Sequence, residues 1–177
     1  MKKTVLTFGL ISAAFSSVMM LLTVPFIDRI GFDRGEYLGY TLILLSFLLV
    51  FFGVRSYRDN VAGGAVTFGR AFTVGILITL VSCVGYVITW EFVYFALVPD
   101  FVDKYSAYAI AHARAAGASA QTISETTRQM EALKTMYDNP LMNAAVTFLE
   151  PFPIGLLVTV VSAAVLRKKG TSAIQPV

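Results

Sequence analysis

Apolar positions in this chain gather into four long runs, 4–27, 37–54, 71–98 and 141–166, with polar stretches between them. Each run exceeds or approaches the roughly 20 residues that cross a hydrocarbon core. Within lipid the backbone must satisfy its own polar groups, so every run predicts a transmembrane helix. The fourth is interrupted by Glu150, Pro151 and Pro153. The first follows Lys2 and Lys3, as a secretory signal would. Its apolar length of about 23 residues exceeds the roughly 7–15 of a signal core, so it reads as a retained span.

The polar stretches carry their own patterns. Residues 28–36, DRIGFDRGE, read as a short loop with two glycines. In 55–70 the pair Gly63-Gly64 breaks helix, and AVTFG is apolar enough to lie along the membrane interface. The long stretch 99–140 is periodic. Phe101, Tyr105, Tyr108 and His112 recur at steps of four, three and four, and Ile123, Met130, Leu133 and Tyr137 form a second stripe. Ser119 is placed to cap the second helix, and Asn139-Pro140 closes it, because the residue before proline resists helix. The expected architecture is all-α. It is a single membrane domain over 1–177, a four-transmembrane-helix bundle with an extracytoplasmic helical hairpin between the third and fourth spans.

Composition sharpens this picture. The chain is 56% hydrophobic and 14% charged, against about 25% charged in soluble domains. Charge also sets an orientation. Lys2, Lys3, Arg55, Arg58, Arg70, Arg167, Lys168 and Lys169 fall in one set of connections with Asp59 alone acidic. Eight acidic and six basic residues occupy the other set. Basic residues accumulate on the cytoplasmic side, which predicts an inner-membrane protein with both termini in the cytoplasm. Trp90, Tyr94 and Phe95 would then end the third span in the outer interfacial belt. Cys83 is the single cysteine, so it can form no disulfide within the chain; it reads as a small apolar filler.

Two segments nearly repeat. VTFGRAFTVGILITLVS at 66–82 and VTFLEPFPIGLLVTVVS at 146–162 agree at nine of seventeen positions. The shared residues include Gly75, Thr79 and Ser82 in one copy and Gly155, Thr159 and Ser162 in the other, spaced to share a helix face. Small residues let membrane helices approach closely. Gly9, Ala13 and Ser16 make a similar stripe in the first span, and Gly39 and Ser46 a sparser one in the second. At about 1.5 Å rise per residue, antiparallel third and fourth spans would set Gly75 level with Ser162, Thr79 with Thr159 and Ser82 with Gly155.

The candidate chemistry is sparse. Glu150 would lie about 25 Å above the basic surface and Glu91 about 31 Å, both near the far boundary. A charge held in the membrane is a functional candidate, and two carboxylates facing each other could not both ionise easily. The alternative for Glu150 is a first-turn residue of a helix begun by Pro151, and for Glu91 an interfacial residue beside Trp90. His112 reads as a packing residue, and Arg167-Lys168-Lys169 as an orientation anchor. No nucleophile triad, zinc motif, paired CxxC or Walker sequence occurs, so no catalytic residue, metal or cofactor is expected and the chain reads as no enzyme.

The stretch G-x-x-TFG-x-AF, here Gly64 with Thr67-Phe68-Gly69-Arg70-Ala71-Phe72, resembles the bacterial membrane family known as domain of unknown function 4199. NPLMNA and EPFP in 139–153 are similar to longer members of the same family. The resemblance implies a four-helix inner-membrane protein of unassigned activity and brings no catalytic residue. Two functional expectations stand. The first is a non-enzymatic component that meets the lipid bilayer and acts through a membrane-protein partner or as a homo-oligomer, with no nucleic acid involved. The second is a small transport or permeation subunit with Glu150 and Glu91 handling ions or protons.

Overall fold

The structure is a computed structural model that describes residues 1–168. It is helical almost throughout. Helix α1 (Lys2–Thr23) runs through a 3₁₀ turn (Val24–Phe26) into the single turn α2 (Ile27–Ile30), and α3 spans Phe32–Asn60. Helix α4 (Phe68–Phe92) ends in a π-helical turn over Val93–Leu97. Helices α5 (Phe101–Ala115) and α6 (Ala120–Tyr137) pack on each other, and α7 (Pro140–Leu149) and α8 (Phe152–Leu166) follow in line. Four of these units, Lys2–Ile30, Phe32–Asn60, Phe68–Leu97 and Pro140–Leu166, are long and apolar enough to cross a membrane. The protein is a multi-pass, all-α membrane protein.

Contacts between small residues fix the directions of the spans. Ser82 Oγ reaches the Gly9 carbonyl at 3.4 Å, Gly85 abuts Ala13, and the Ser17 and Thr89 hydroxyls lie 2.6 Å apart. Numbers rise together, so α1 and α4 are parallel. Ser12 Oγ donates to the Ser46 carbonyl at 2.9 Å while Gly53 lies against Phe8, so α3 runs the opposite way. Gly75 meets Thr159 and Gly155 meets Thr79, so α8 is antiparallel to α4. This up-down-up-down order collects Lys2, Lys3, Arg55, Arg58, Arg70, Arg167 and Lys168 at one end; Lys169 lies outside the described residues. The α5–α6 pair caps the other end.

Two apolar cores arise from this layout. Phe47, Val50, Val54, Val74 and Ile78 fill the middle of the bundle and its basic half. Met20, Trp90, Tyr94, Val98 and Val102 form a second core under α5 and α6, with Leu133 and Tyr137 against it.

Three expectations change. Residues 28–36 are no loop: only Gly31 (φ +84°, ψ 144°) leaves the helical region, and α3 begins at Phe32. That backbone conformation belongs to glycine, and one residue suffices to turn the chain. Asp33 then sits in the first turn of α3, where the helix dipole favours an acid. Trp90 and Tyr94 lie buried inside the protein rather than in an interfacial belt, because their shared face is covered by neighbouring helices; Phe95 stays exposed. AVTFG is in part turned inward. Val66 is buried and exchanges backbone hydrogen bonds with Lys168 at 3.0 and 2.9 Å, tying this turn to the end of α8.

Candidate functional site

The fourth span breaks in its middle, and the sequence dictates where. Asn139 caps α7, its side chain accepting from the backbone N–H groups of Leu141 (3.0 Å) and Met142 (3.3 Å), and Pro140 opens the helix. Eleven and thirteen residues after Pro140, Pro151 and Pro153 each lack an N–H, so the carbonyls of Thr147 and Leu149 lose their partners one turn on. The helix stops at Leu149 and restarts at Phe152, with Glu150 in the joint.

A buried polar cluster holds α7 against its neighbours. Asn143 is fully buried, and its Oδ1 accepts from Trp90 Nε1 (2.9 Å) and Thr147 Oγ1 (3.1 Å). Its Nδ2 donates to the Tyr137 carbonyl (3.2 Å), which links α4, α6 and α7 through one side chain. In hydrocarbon a polar group without a partner is costly, so this full set of bonds fixes the register of α7.

Two turns beyond Asn143, Glu150 faces a cavity of about 450 Å³. Tyr86 Oη donates to Glu150 Oε2 at 3.1 Å. Among the described residues no donor reaches Oε1, and the carboxylate keeps accessible surface because it borders open space and not packed protein. The cavity lies between α1, α3, α4 and the α7–α8 joint, with Phe101, Tyr105, Leu133 and Tyr137 of α5 and α6 above it. Its walls are mostly apolar, and its size falls in the range of small-ligand sites. Polar groups are few: Glu150, Glu36, Ser16, Thr23 and the hydroxyls of Tyr40, Tyr86, Tyr105 and Tyr137.

The cover is tied down by charge and by rings. Lys104 Nζ pairs with Asp28 (2.9 Å) and Asp100 (3.2 Å), and Lys134 Nζ with Asp103 (3.0 Å). Donating to Asp28 and Asp100 raises the Lys104 pKa, and donating to Asp103 raises that of Lys134. Tyr108 donates to Asp33, and this bond pushes its phenol up to about 12. Burial, with Glu150 adding to it, lifts Tyr137 to about 12. Phe32, the residue after the turn at Gly31, sits among Phe101, Tyr105 and Tyr108 at centroid distances of 5.8, 5.5 and 5.2 Å. The stripe continues to His112, 5.9 Å from Tyr108.

The two carboxylates are not brought together. Glu91 does not line the cavity, and its Oε1 is buried with no hydrogen-bond partner among the described residues. Arg70, the counterpart of Glu150 in the repeat, donates to Tyr57 Oη (3.0 Å) at the basic end. Among the small residues, Thr79 and Thr159 meet directly, their hydroxyls 3.0 Å apart, and Thr79 also donates to the Gly155 carbonyl at 3.3 Å. Gly75 faces Thr159, not Ser162, and Ser82 turns to Gly9 of α1, not to Gly155. Seven residues bring the helix to within about 20° of its starting direction, so this one face of α4 is shared between α8, at Gly75 and Thr79, and α1, at Ser82. Ser16 bonds the carbonyls of Ser12 and Ala13 in its own helix and borders the cavity, while Ser162 is buried. Gly39 borders the cavity with open space beside it. Cys83 is buried. Sequence reasoning missed Asn143, Tyr86 and Tyr40 and read Tyr137 only as part of a helical stripe; a lone Asn in an apolar run was the available signal for the first.

No curated protein and no solved structure matches the chain. Residues 7–168 match the family described as protein of unknown function (DUF4199), and the chain belongs to that family.

Proposed function

We propose that this protein is a non-enzymatic membrane component whose working part is the cavity at Glu150, a binding centre for a small molecule. One observation carries this reading. Three spans, the broken fourth and the α5–α6 cover converge on one space of about 450 Å³ that has a carboxylate at its wall. The faces built on Gly9, Gly75 and Gly155 are occupied by contacts within the chain. The test is a cavity-filling change. Gly39 borders the space and has nothing within 4 Å of a Cβ, so Gly39→Phe should fill the cavity without disturbing the fold. In lipid nanodiscs, a neutral apolar dye such as Nile red should show saturable binding that Gly39→Phe abolishes at unchanged thermal stability. Equal dye binding by both proteins would overturn the proposal.

The break in the fourth span favours a second reading, a transport or permeation role in which Glu150 handles the permeant. Flux in proteoliposomes that survives Glu150→Gln would remove Glu150 from that role. The segregation of basic residues supports an inner-membrane location with both termini in the cytoplasm and the α5–α6 cover outside. A reporter fused after Val177 tests this, and activity confined to the outer side would refute it.

A further inference from the structure

We infer that the cavity selects a hydrophobic organic cation. The inference rests on the reading of the cavity as a binding centre and names the chemistry of its ligand. Two carboxylates, Glu36 and Glu150, border the space, and among the described residues no lysine, arginine or histidine does. The remaining polar surface comes largely from rings: Tyr40, Tyr86, Tyr105, Tyr137 and Trp90.

Each feature discriminates. Aromatic faces attract a cation held within about 6 Å of the ring centre, and repel an anion in the same place. An anionic ligand would therefore meet two like charges, among aromatic side chains, with no cation to answer them. A neutral hydrocarbon would fit the walls but leave Glu150 Oε1 without a partner in a site of low dielectric. A bare metal ion needs several oxygen or nitrogen ligands at close range, and no group of three or more His, Cys, Asp or Glu converges among the described residues. A bulky cation with an apolar body answers all of these at once. Its body covers the walls built from Met19, Val24, Ile27 and Leu42, and its charge meets Glu150 across from Tyr86.

The experiment compares two ions of nearly the same shape and opposite sign, tetraphenylphosphonium and tetraphenylborate, on the purified full chain in nanodiscs. Trp90 is the only tryptophan and borders the cavity, so its emission reports occupancy. The phosphonium should bind saturably, one per chain, and the borate should not. Glu150→Gln should weaken phosphonium binding at least tenfold, and Glu36→Gln should weaken it less. If Glu150→Gln fails to fold, Glu36→Gln and the pair of ions still decide. Equal binding of both ions, or phosphonium affinity unchanged in the folded carboxylate variants, overturns the cation assignment. If neither ion binds while Nile red does, the cation assignment falls and the cavity reading stands; if the dye fails too, both fall.

Discussion

Gly155→Ala puts one methyl group into a close contact between two spans. A Cβ built at Gly155 lies 2.8 and 2.9 Å from Cζ and Cε1 of Phe47, and closer still to the Thr79 methyl. Carbon atoms pack at about 3.5–4.0 Å, so a neighbour must move by more than half an ångström. Neither is free to do so. Phe47 is 1% exposed, and Thr79 is fully buried with its hydroxyl held between Thr159 Oγ1 and the Gly155 carbonyl. Overpacking of this kind costs about 1–3 kcal/mol. The better helix propensity of alanine offsets up to about 1 kcal/mol. A net loss of about 1–2 kcal/mol corresponds to a five- to thirty-fold shift toward the unfolded state. The assay is denaturation by sodium dodecyl sulfate in mixed micelles, read from Trp90 emission. Thr79→Ser removes the opposing methyl, so the double variant should recover about half of the loss or more. Gly69→Ala, where no atom lies within 4 Å, should cost nothing. A Gly155→Ala chain as stable as the parent, or a Thr79→Ser change that restores nothing, would refute the tight contact.

Asn143→Leu should cost about 1–3 kcal/mol, because it leaves the buried Trp90 N–H without an acceptor. A double-mutant cycle with Trp90→Phe should give a coupling of about 0.6–1.7 kcal/mol, and a coupling near zero would deny the bond its role. Gly31→Ala should cost about 1–3 kcal/mol, since only glycine occupies φ +84°, ψ 144° without strain; an unchanged midpoint in the same titration would count against the one-residue turn. Alkali should loosen the cover. Lys104, Lys134, Tyr108 and Tyr137 all hold their protons more tightly when folded, so their contribution is complete below about pH 10 and is lost as pH climbs toward about 12. Near-ultraviolet circular dichroism of the packed rings should fall across that window, and a flat signal through pH 12 would contradict the sign.

Sequence carried the number of spans because hydrocarbon demands length and apolarity, which are local properties. It carried the stripes of α5 for the same reason: Phe101, Tyr105, Tyr108 and His112 need only helical spacing to line up. It misread 28–36 because Asp28, Asp33 and Glu36 mark where the chain leaves hydrocarbon, while helix can continue into water. It misjudged Trp90 and Tyr94 because an aromatic ring suits an interface and a protein core equally, and the cover that buries them comes from residues more than ten positions away. The cavity was illegible for a related reason. Its walls come from seven helices, and no local pattern shows that Tyr86 and Glu150, 64 residues apart, will meet.

The repeat acquires a structural meaning from the break. In the first copy Thr67 caps α4, its hydroxyl accepting from the Arg70 N–H, so that copy begins a helix at the basic end. In the second copy the equivalent threonine, Thr147, lies inside α7, and the helix beginning falls five residues later, after Pro151. The fourth span is thus a half-helix from the cover end joined to a second helix, α8, that starts later in the repeat than α4 does. Helix length sets the depth of the joint. The 15 residues of α8 rise only about 22 Å, short of the roughly 30 Å hydrocarbon core, so α8 cannot cross alone. The joint must then lie inside the apolar thickness, with α7 supplying the rest of the crossing and α5 and α6 above it. The Glu150 carboxylate at this joint borders open space. Tyr86 supplies one donor to its Oε2, and the space beside Oε1 is where a bound cation would sit.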